Sequence, residues 1–129
     1  MIFDKKTLDE LSAQAKANPR LRQSLDLRTS PDDNSQRMLN ALEPGTVMPI
    51  HCHRNTSETI VIIRGALEEY IYDNTGNLTA TILMKPNSEY SIIQLEKGQW
   101  HSLKCLEEGT IIFEAKDGVY EPLTSEEIL

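Results

Sequence analysis

From Arg37 onward, turn residues cut the chain at nearly even intervals into short runs of β-forming residues, and this punctuation limits the fold more than any other feature. The runs fall at 37–43, 47–53, 58–64, 66–73, 78–84, 90–95, 99–105 and 109–115, with Gly65, Asn74-Thr75-Gly76-Asn77, Pro86-Asn87, Lys97-Gly98 and Glu107-Glu108-Gly109 among the breaks. No helical run lies between them to serve as the crossover that a parallel sheet requires, so the pattern predicts an all-β sandwich or jelly roll. Ahead of this region, Leu8, Leu11 and Ala15 recur on one helical face, Thr7 and Glu10 have the spacing of a capping box, and Asn18-Pro19 ends the run. These features predict a short N-terminal helix. The polar stretch from Arg20 to Asp33 turns at Ser30-Pro31-Asp32-Asp33, and its path is not specified by its pattern. With 129 residues the chain has the size of one domain, read as a helix and wrapping segment over 1–36 and a β-barrel core over 37–129.

All three histidines fall in two short stretches. His51 and His53 are two apart, so on a strand they would share a face about 7 Å apart while Cys52 turns away. The polar residues Arg54-Asn55-Thr56-Ser57 suit a tight connection that returns the chain and sets Glu58 beside the pair. Glu58 opens a strand whose same-face members, Ile60 and Ile62, are apolar, and a carboxylate on a buried face is costly unless it is paired or coordinated. His101 supplies a third imidazole. Neutral imidazole and carboxylate are the usual ligands of borderline divalent ions, so His51, His53, Glu58 and His101 are expected to hold one metal. The donor set does not choose among Zn, Fe, Mn, Ni and Co.

The run from Gly45 to Gly65 matches the first cupin motif: a glycine, five residues, His51-x-His53, four residues, Glu58, six residues and a glycine. The second cupin motif is partial, with Gly98 and His101 in place, Glu96 where proline is common and Cys105 where asparagine is common. More narrowly, through Gln36–Leu42, Lys97–Leu103 and Phe113–Tyr120, the chain resembles the WbuC-type cupin-fold metalloproteins over about residues 7–125. It departs from them at Arg54 and Ser57, where proline and tryptophan are frequent. The resemblance implies a double-stranded β-helix (a jelly-roll barrel) with one bound metal, and a link to O-antigen or other surface polysaccharide biosynthesis.

A three-histidine, one-carboxylate set leaves positions open on an ion that prefers five or six ligands. Such an ion can polarise a carbonyl or enediol, acidify a bound water or, as Fe(II), activate dioxygen. Arg37, Asn40, Tyr70, Tyr72 and Glu114 are the candidates for contact with a ligand, while Trp100, next to His101, should face the other way and pack. No catalytic acid, base or nucleophile can be named beyond the metal shell. The expected function is that of a cytoplasmic metal-binding cupin handling a small polar, sugar-like molecule. The alternatives are a metal-dependent isomerase or dioxygenase, and a non-catalytic binding or sensor module.

Charge and composition narrow the partners. A net charge of −7 lacks the basic face that nucleic acid or anionic lipid would need. No run approaches the roughly 18 apolar residues of a membrane span, and Lys5-Lys6 leads into an amphipathic segment rather than a secretory core. Cys52 and Cys105 are too few for a disulfide framework and are expected to be reduced. Thr59-Ile60-Val61-Ile62-Ile63 is apolar on both faces, which predicts a cover on its outer side, either the N-terminal helix or, as the preferred reading, a second subunit in a homodimer.

Overall fold

The computed structural model describes residues 1–129. It contains one α-helix, α1 (Lys5–Ala17), and eight strands: β1 (Arg22–Asp26), β2 (Gln36–Leu42), β3 (Glu58–Arg64), β4 (Leu67–Tyr72), β5 (Leu78–Met84), β6 (Ile92–Leu95), β7 (Trp100–Cys105) and β8 (Thr110–Lys116). They form a five-stranded sheet in the order β1-β2-β8-β3-β6 and a three-stranded sheet in the order β5-β4-β7. Every pairing is antiparallel, and the two sheets face one another as a cupin-type jelly roll.

Alternation along the strands builds the core between the sheets. Ile60 and Ile62 from β3, Ile112 from β8 and Leu42 from β2 meet Leu67 from β4, Met84 from β5 and Leu103 from β7, and each is buried. Burying such a side chain contributes about 1.5–3 kcal/mol, so this cluster is the main source of the sandwich's cohesion. The strand ends need backbone that only glycine adopts freely. At Gly65, φ is +85°, and an added Cβ would lie 2.6 Å from Thr110 Cα, so both conformation and space demand glycine between β3 and β4.

Outside the barrel, α1 lays Leu11 and Ala15 on Leu39, Ala41 and Ile111 in a second buried cluster. The helix begins earlier than the Thr7 capping box predicts. Asp4 is the N-cap, and its carboxylate accepts from the backbone N–H and the hydroxyl of Thr7, both at 2.9 Å, which places Thr7 inside the first turn. α1 packs on β1, β2 and β8 and leaves the outer side of β3 and β6 open, where Ile63 and Ile92 are exposed.

Two further expectations change. The segment at 47–53 is not a strand: only His51 forms bridges, one to His101 and one to Ile128. Pro49 lacks the N–H that a regular ladder would require there. Conversely, the unassigned stretch after Arg20 contributes β1, which pairs along its whole length with β2. Its burial is weak because Leu25 is its one large apolar side chain, so no alternation marks it in the sequence.

Candidate metal centre

The end of the barrel that opens between β3 and β7 gathers the histidines. His101 is the second residue of β7 and points inward, since the register pairs it with Ile71 of β4 and leaves its neighbour Trp100 opposite Tyr72 on the outer face. Glu58, the first residue of β3, shares the inward face with Ile60 and Ile62. His51 and His53 come from the irregular segment before β3. There the backbones of His51 and His101 exchange two hydrogen bonds, of 3.0 and 2.8 Å, and the Gly98 N–H donates to the His53 carbonyl at 2.9 Å. Those bonds replace the expected strand and still turn both rings to the same side.

The ring centroids of His51 lie 5.1 Å from His53 and 4.3 Å from His101, with His53 and His101 6.0 Å apart. One potential donor atom from each of the three lies within 4.8 Å of the others, a separation that one ion can span. The outer hydrogen bonds decide which nitrogen is free. His51 Nδ1 is 2.8 Å from the Pro49 carbonyl oxygen and must donate to it, because a carbonyl only accepts. His101 Nδ1 likewise faces Glu69 Oε1 at 3.0 Å. The His51 ring therefore carries its proton on Nδ1 and presents the Nε2 lone pair to the cluster, and an ionised Glu69 imposes the same tautomer on His101, the arrangement seen where an outer acceptor orients a metal-binding imidazole.

Glu58 tests whether an ion fits. Its Oε2 is 3.7 Å from Nε2 of His53 and 3.7 Å from Nε2 of His101, too far for a hydrogen bond. That oxygen is buried with no partner in the protein. A buried, unsatisfied carboxylate oxygen costs several kcal/mol unless something neutralises it. Here it faces the Nε2 atoms of two neutral imidazoles, and one potential donor atom from each of the three histidines lies within 4.8 Å of the others, so the residues present fit a divalent ion.

The electrostatics agree. Burial, foremost, draws the histidines down, to about 4 for His51 and His101 and about 3 for His53, so all three are neutral and able to ligate at ordinary pH. Burial also pushes Glu58 well above the usual carboxylate range, with the charge of Glu114 and a hydrogen bond to it adding to the rise. Glu69 is raised by burial and then by Glu114. A bound cation reverses this direction for a coordinating carboxylate.

A cavity of about 200 Å³ opens from the cluster. Of the proposed ligand contacts, Asn40 and Glu114 line it, and the Asn40 amide donates to Glu114 Oε1 at 3.0 Å. Tyr70 and Tyr72 lie on the outer face of β4, opposite the inward-pointing Glu69, and the cavity does not reach them. Arg37 also points away, holding Asp33 and the Leu27 carbonyl on the helix side of β2.

Three residues that sequence reasoning missed belong to the site: Glu69 behind His101, and Arg22 and Lys116 at the cavity wall. Glu69 was detectable. It lies between Leu67 and Ile71 on the apolar parity of its strand, the same signal that marks Glu58. Lys116 shares the parity of Ile112 and Glu114 on its strand, whereas Arg22 carries no such mark, because its place depends on how β1 flanks β2. The two cysteines are free and buried, as their number suggested.

A family model described as a domain of unknown function (DUF6016) matches residues 3–84. No curated protein matches the sequence. Among solved structures, KdgF from Halomonas sp. superposes with a TM-score of 0.63 at 13% identity, over 81% of this chain and 84% of that one. CapF of Staphylococcus aureus, a capsular polysaccharide assembling protein, gives 0.65 at 14% identity, over 78% of this chain and 27% of its own. Bacillus subtilis oxalate decarboxylase, in a structure concerned with its Mn(II) centres, gives 0.59 at 20% identity, over 84% of this chain and 27% of its own. The chain thus spans most of KdgF but about a quarter of the other two, and at these identities the likeness is one of fold.

Proposed function

The chain belongs to the DUF6016 family, and we propose that it is a cupin that holds one divalent transition metal through His51, His53, His101 and Glu58 and handles a small polar molecule in the adjoining cavity. The observation that carries this is the buried, unpartnered Oε2 of Glu58, 3.7 Å from two imidazole nitrogens. When bound, the ion supplies Lewis acidity and open coordination positions for a ligand oxygen. The protein's part is to orient the donors, to keep the imidazoles neutral by burial and to shape a cavity whose apolar wall limits water.

The narrower reading is a WbuC-type cupin metalloprotein, supported by the three matching segments at Gln36–Leu42, Lys97–Leu103 and Phe113–Tyr120. With it comes a sugar-like ligand in O-antigen or surface polysaccharide synthesis, a reaction setting akin to the capsular polysaccharide assembly in which CapF takes part. A cytoplasmic location belongs to the same reading; no helix of the chain is long and apolar enough to cross a membrane. The exposed Ile63 and Ile92 on the uncovered side of β3 and β6 support a homodimer through that face. Glu114, turned into the cavity beside Glu58, favours a second reading in which the ligand is turned over by a metal-dependent isomerase or dioxygenase.

Elemental analysis of protein purified without oxygen tests the first reading. One equivalent of a transition metal is expected in the parent protein, and less than a tenth of that in His51→Ala and His101→Ala at unchanged fold by circular dichroism, since each removes a ligand outright. Full metal content in both variants, or none in the parent after incubation with each candidate ion, overturns it.

A further inference from the structure

The cavity beside the histidine cluster has an uneven charge distribution for so acidic a protein. Two cations line it, Arg22 from β1 and Lys116 from β8, and neither has a carboxylate oxygen within salt-bridge distance. Elsewhere the chain neutralises many of its cations locally: Lys5 and Arg64 on Asp9, Arg28 on Asp26, Arg37 on Asp33 and Arg54 on Glu126. Arg22 has only the Val47 carbonyl at 3.5 Å and the Met48 sulfur at 3.6 Å, leaving most of its five donors unused. Lys116 is half-buried, opposite Glu58 in the β3–β8 register, and its ammonium makes no hydrogen bond to the protein.

The carboxylates nearby do not use up these charges. Glu114 is occupied by the Asn40 amide, Glu58 faces the imidazoles, and Glu69 lies behind His101. Counted formally, a divalent ion with Arg22 and Lys116, set against Glu58, Glu69 and Glu114, leaves the loaded cavity at least one positive charge in excess. Apolar wall residues, among them Met38, Leu42 and Leu103, lower the local dielectric and strengthen that field. At about 200 Å³ the space admits a molecule of a few heavy atoms or the acidic end of a larger one.

Resting on the metal-site reading above, we propose that the cavity selects an anionic ligand, a small hydroxy acid or the carboxylate-bearing end of an acidic sugar. Its carboxylate is held by Lys116, which stands at the Glu58 end of the cavity, and its hydroxyl lies on the side of the Asn40–Glu114 pair; Arg22, at the Leu42 end of β2, adds to the positive field from farther off. Charge on the ligand, not hydrogen bonding to a neutral polyol, is what this pocket recognises.

The experiment is calorimetric titration of the full, metal-loaded chain with glycolate and with ethylene glycol, two-carbon probes that share a hydroxyl and differ in one carboxylate. Metal content is measured in the same samples. Glycolate is expected to bind at least tenfold more tightly than ethylene glycol, and Lys116→Gln is expected to weaken glycolate by about tenfold, the usual scale for a hydrogen bond to a charged group, with a smaller loss in Arg22→Gln and the metal equivalent unchanged in both. The proposal is overturned by equal affinity for the two probes, by no glycolate binding to metal-loaded protein, or by glycolate affinity unmoved in Lys116→Gln; each of these leaves the metal site standing. Failure of the parent chain to take up metal overturns the metal reading and the anion selection together.

Discussion

The four proposed metal ligands come from two kinds of scaffold. Glu58 and His101 stand on β3 and β7, which are hydrogen-bonded to neighbours along their length. His51 and His53 stand on a segment with no ladder of its own, tied to His101 on one side and to the last residues of the chain on the other. There the Cys52 N–H donates to the Glu127 carbonyl at 3.0 Å, the Leu129 N–H to the Ile50 carbonyl at 2.9 Å, and the Arg54 N–H to Glu127 Oε2 at 2.9 Å. Sheet register, fixed by the buried core, sets one half of the site. A short tail, reinforced by a capping box between Thr124 and Glu127, sets the other. A ligand cluster therefore does not need two rigid strands, provided that the second segment is pinned on both sides.

The most direct way to break this contrast is to remove residues 124–129. The strand half should keep its geometry while the histidine pair loosens, and metal affinity is expected to fall by about 10–100-fold, the range for loss of partners that orient ligands. The apoprotein's melting temperature should drop only modestly, because the tail buries little of the core. Competition titration against a chelator, with melting curves, measures both; an unchanged affinity would mean that the bridge to His101 alone holds the pair.

Glu69→Gln sharpens the strand half. Glutamine keeps an acceptor for His101 Nδ1 but loses the negative charge that makes the imidazole a better donor, so metal affinity is expected to fall by about tenfold. The apoprotein should be at least as stable as the parent, since the cost of ionising a carboxyl buried at this position is removed. A variant that loses stability and keeps metal affinity would show Glu69 to be a core group only.

The smallest effect is one of pH. Between the lowered values of about 4 for His51 and His101, about 3 for His53, and the ordinary 6.5, the unfolded chain binds protons that the buried rings refuse. Their contribution to stability is therefore complete above pH 6.5 and is lost as the pH falls through that window. Glu58 and Glu69 act in the opposite sense, because their raised values leave the folded chain protonated where the unfolded chain, at an ordinary 4.5, is not. The two contributions oppose each other between the ordinary 4.5 of a glutamate and the ordinary 6.5 of a histidine. The metal-free protein is expected to lose melting temperature as the pH rises through the raised range of the two glutamates, and saturating metal should abolish that decline by favouring ionised Glu58. A flat profile without metal would argue that the carboxylates are already compensated.

Much of the site could be read before the fold was known, because its main residues are periodic. Glu58 and His101 lie on strands whose alternation shows their facing, and His51-x-His53 keeps its common side even though the expected strand over 47–53 is an irregular segment with a bridge. Glu69 carried the same mark. Tyr70 and Tyr72 show the other side of that rule: they share a face with each other but not with Glu69, and parity alone does not say which face is lined by a cavity. Lys116 shared its parity with Glu114, whereas Arg22 had no local signal at all, since neither alternation nor motif surrounds it.

Residue order and spacing were enough to specify the β-rich architecture, the turns that require glycine and the set of groups competent to bind a metal, because each depends on contacts or conformations within a few residues of one another. Which of those groups meet, which tautomer each imidazole adopts, and which charges border the cavity depend on strands brought together from 22 to 116 and on a tail returning to His51. Those are long-range pairings selected by burial of the shared core, and no single stretch of the chain contains them.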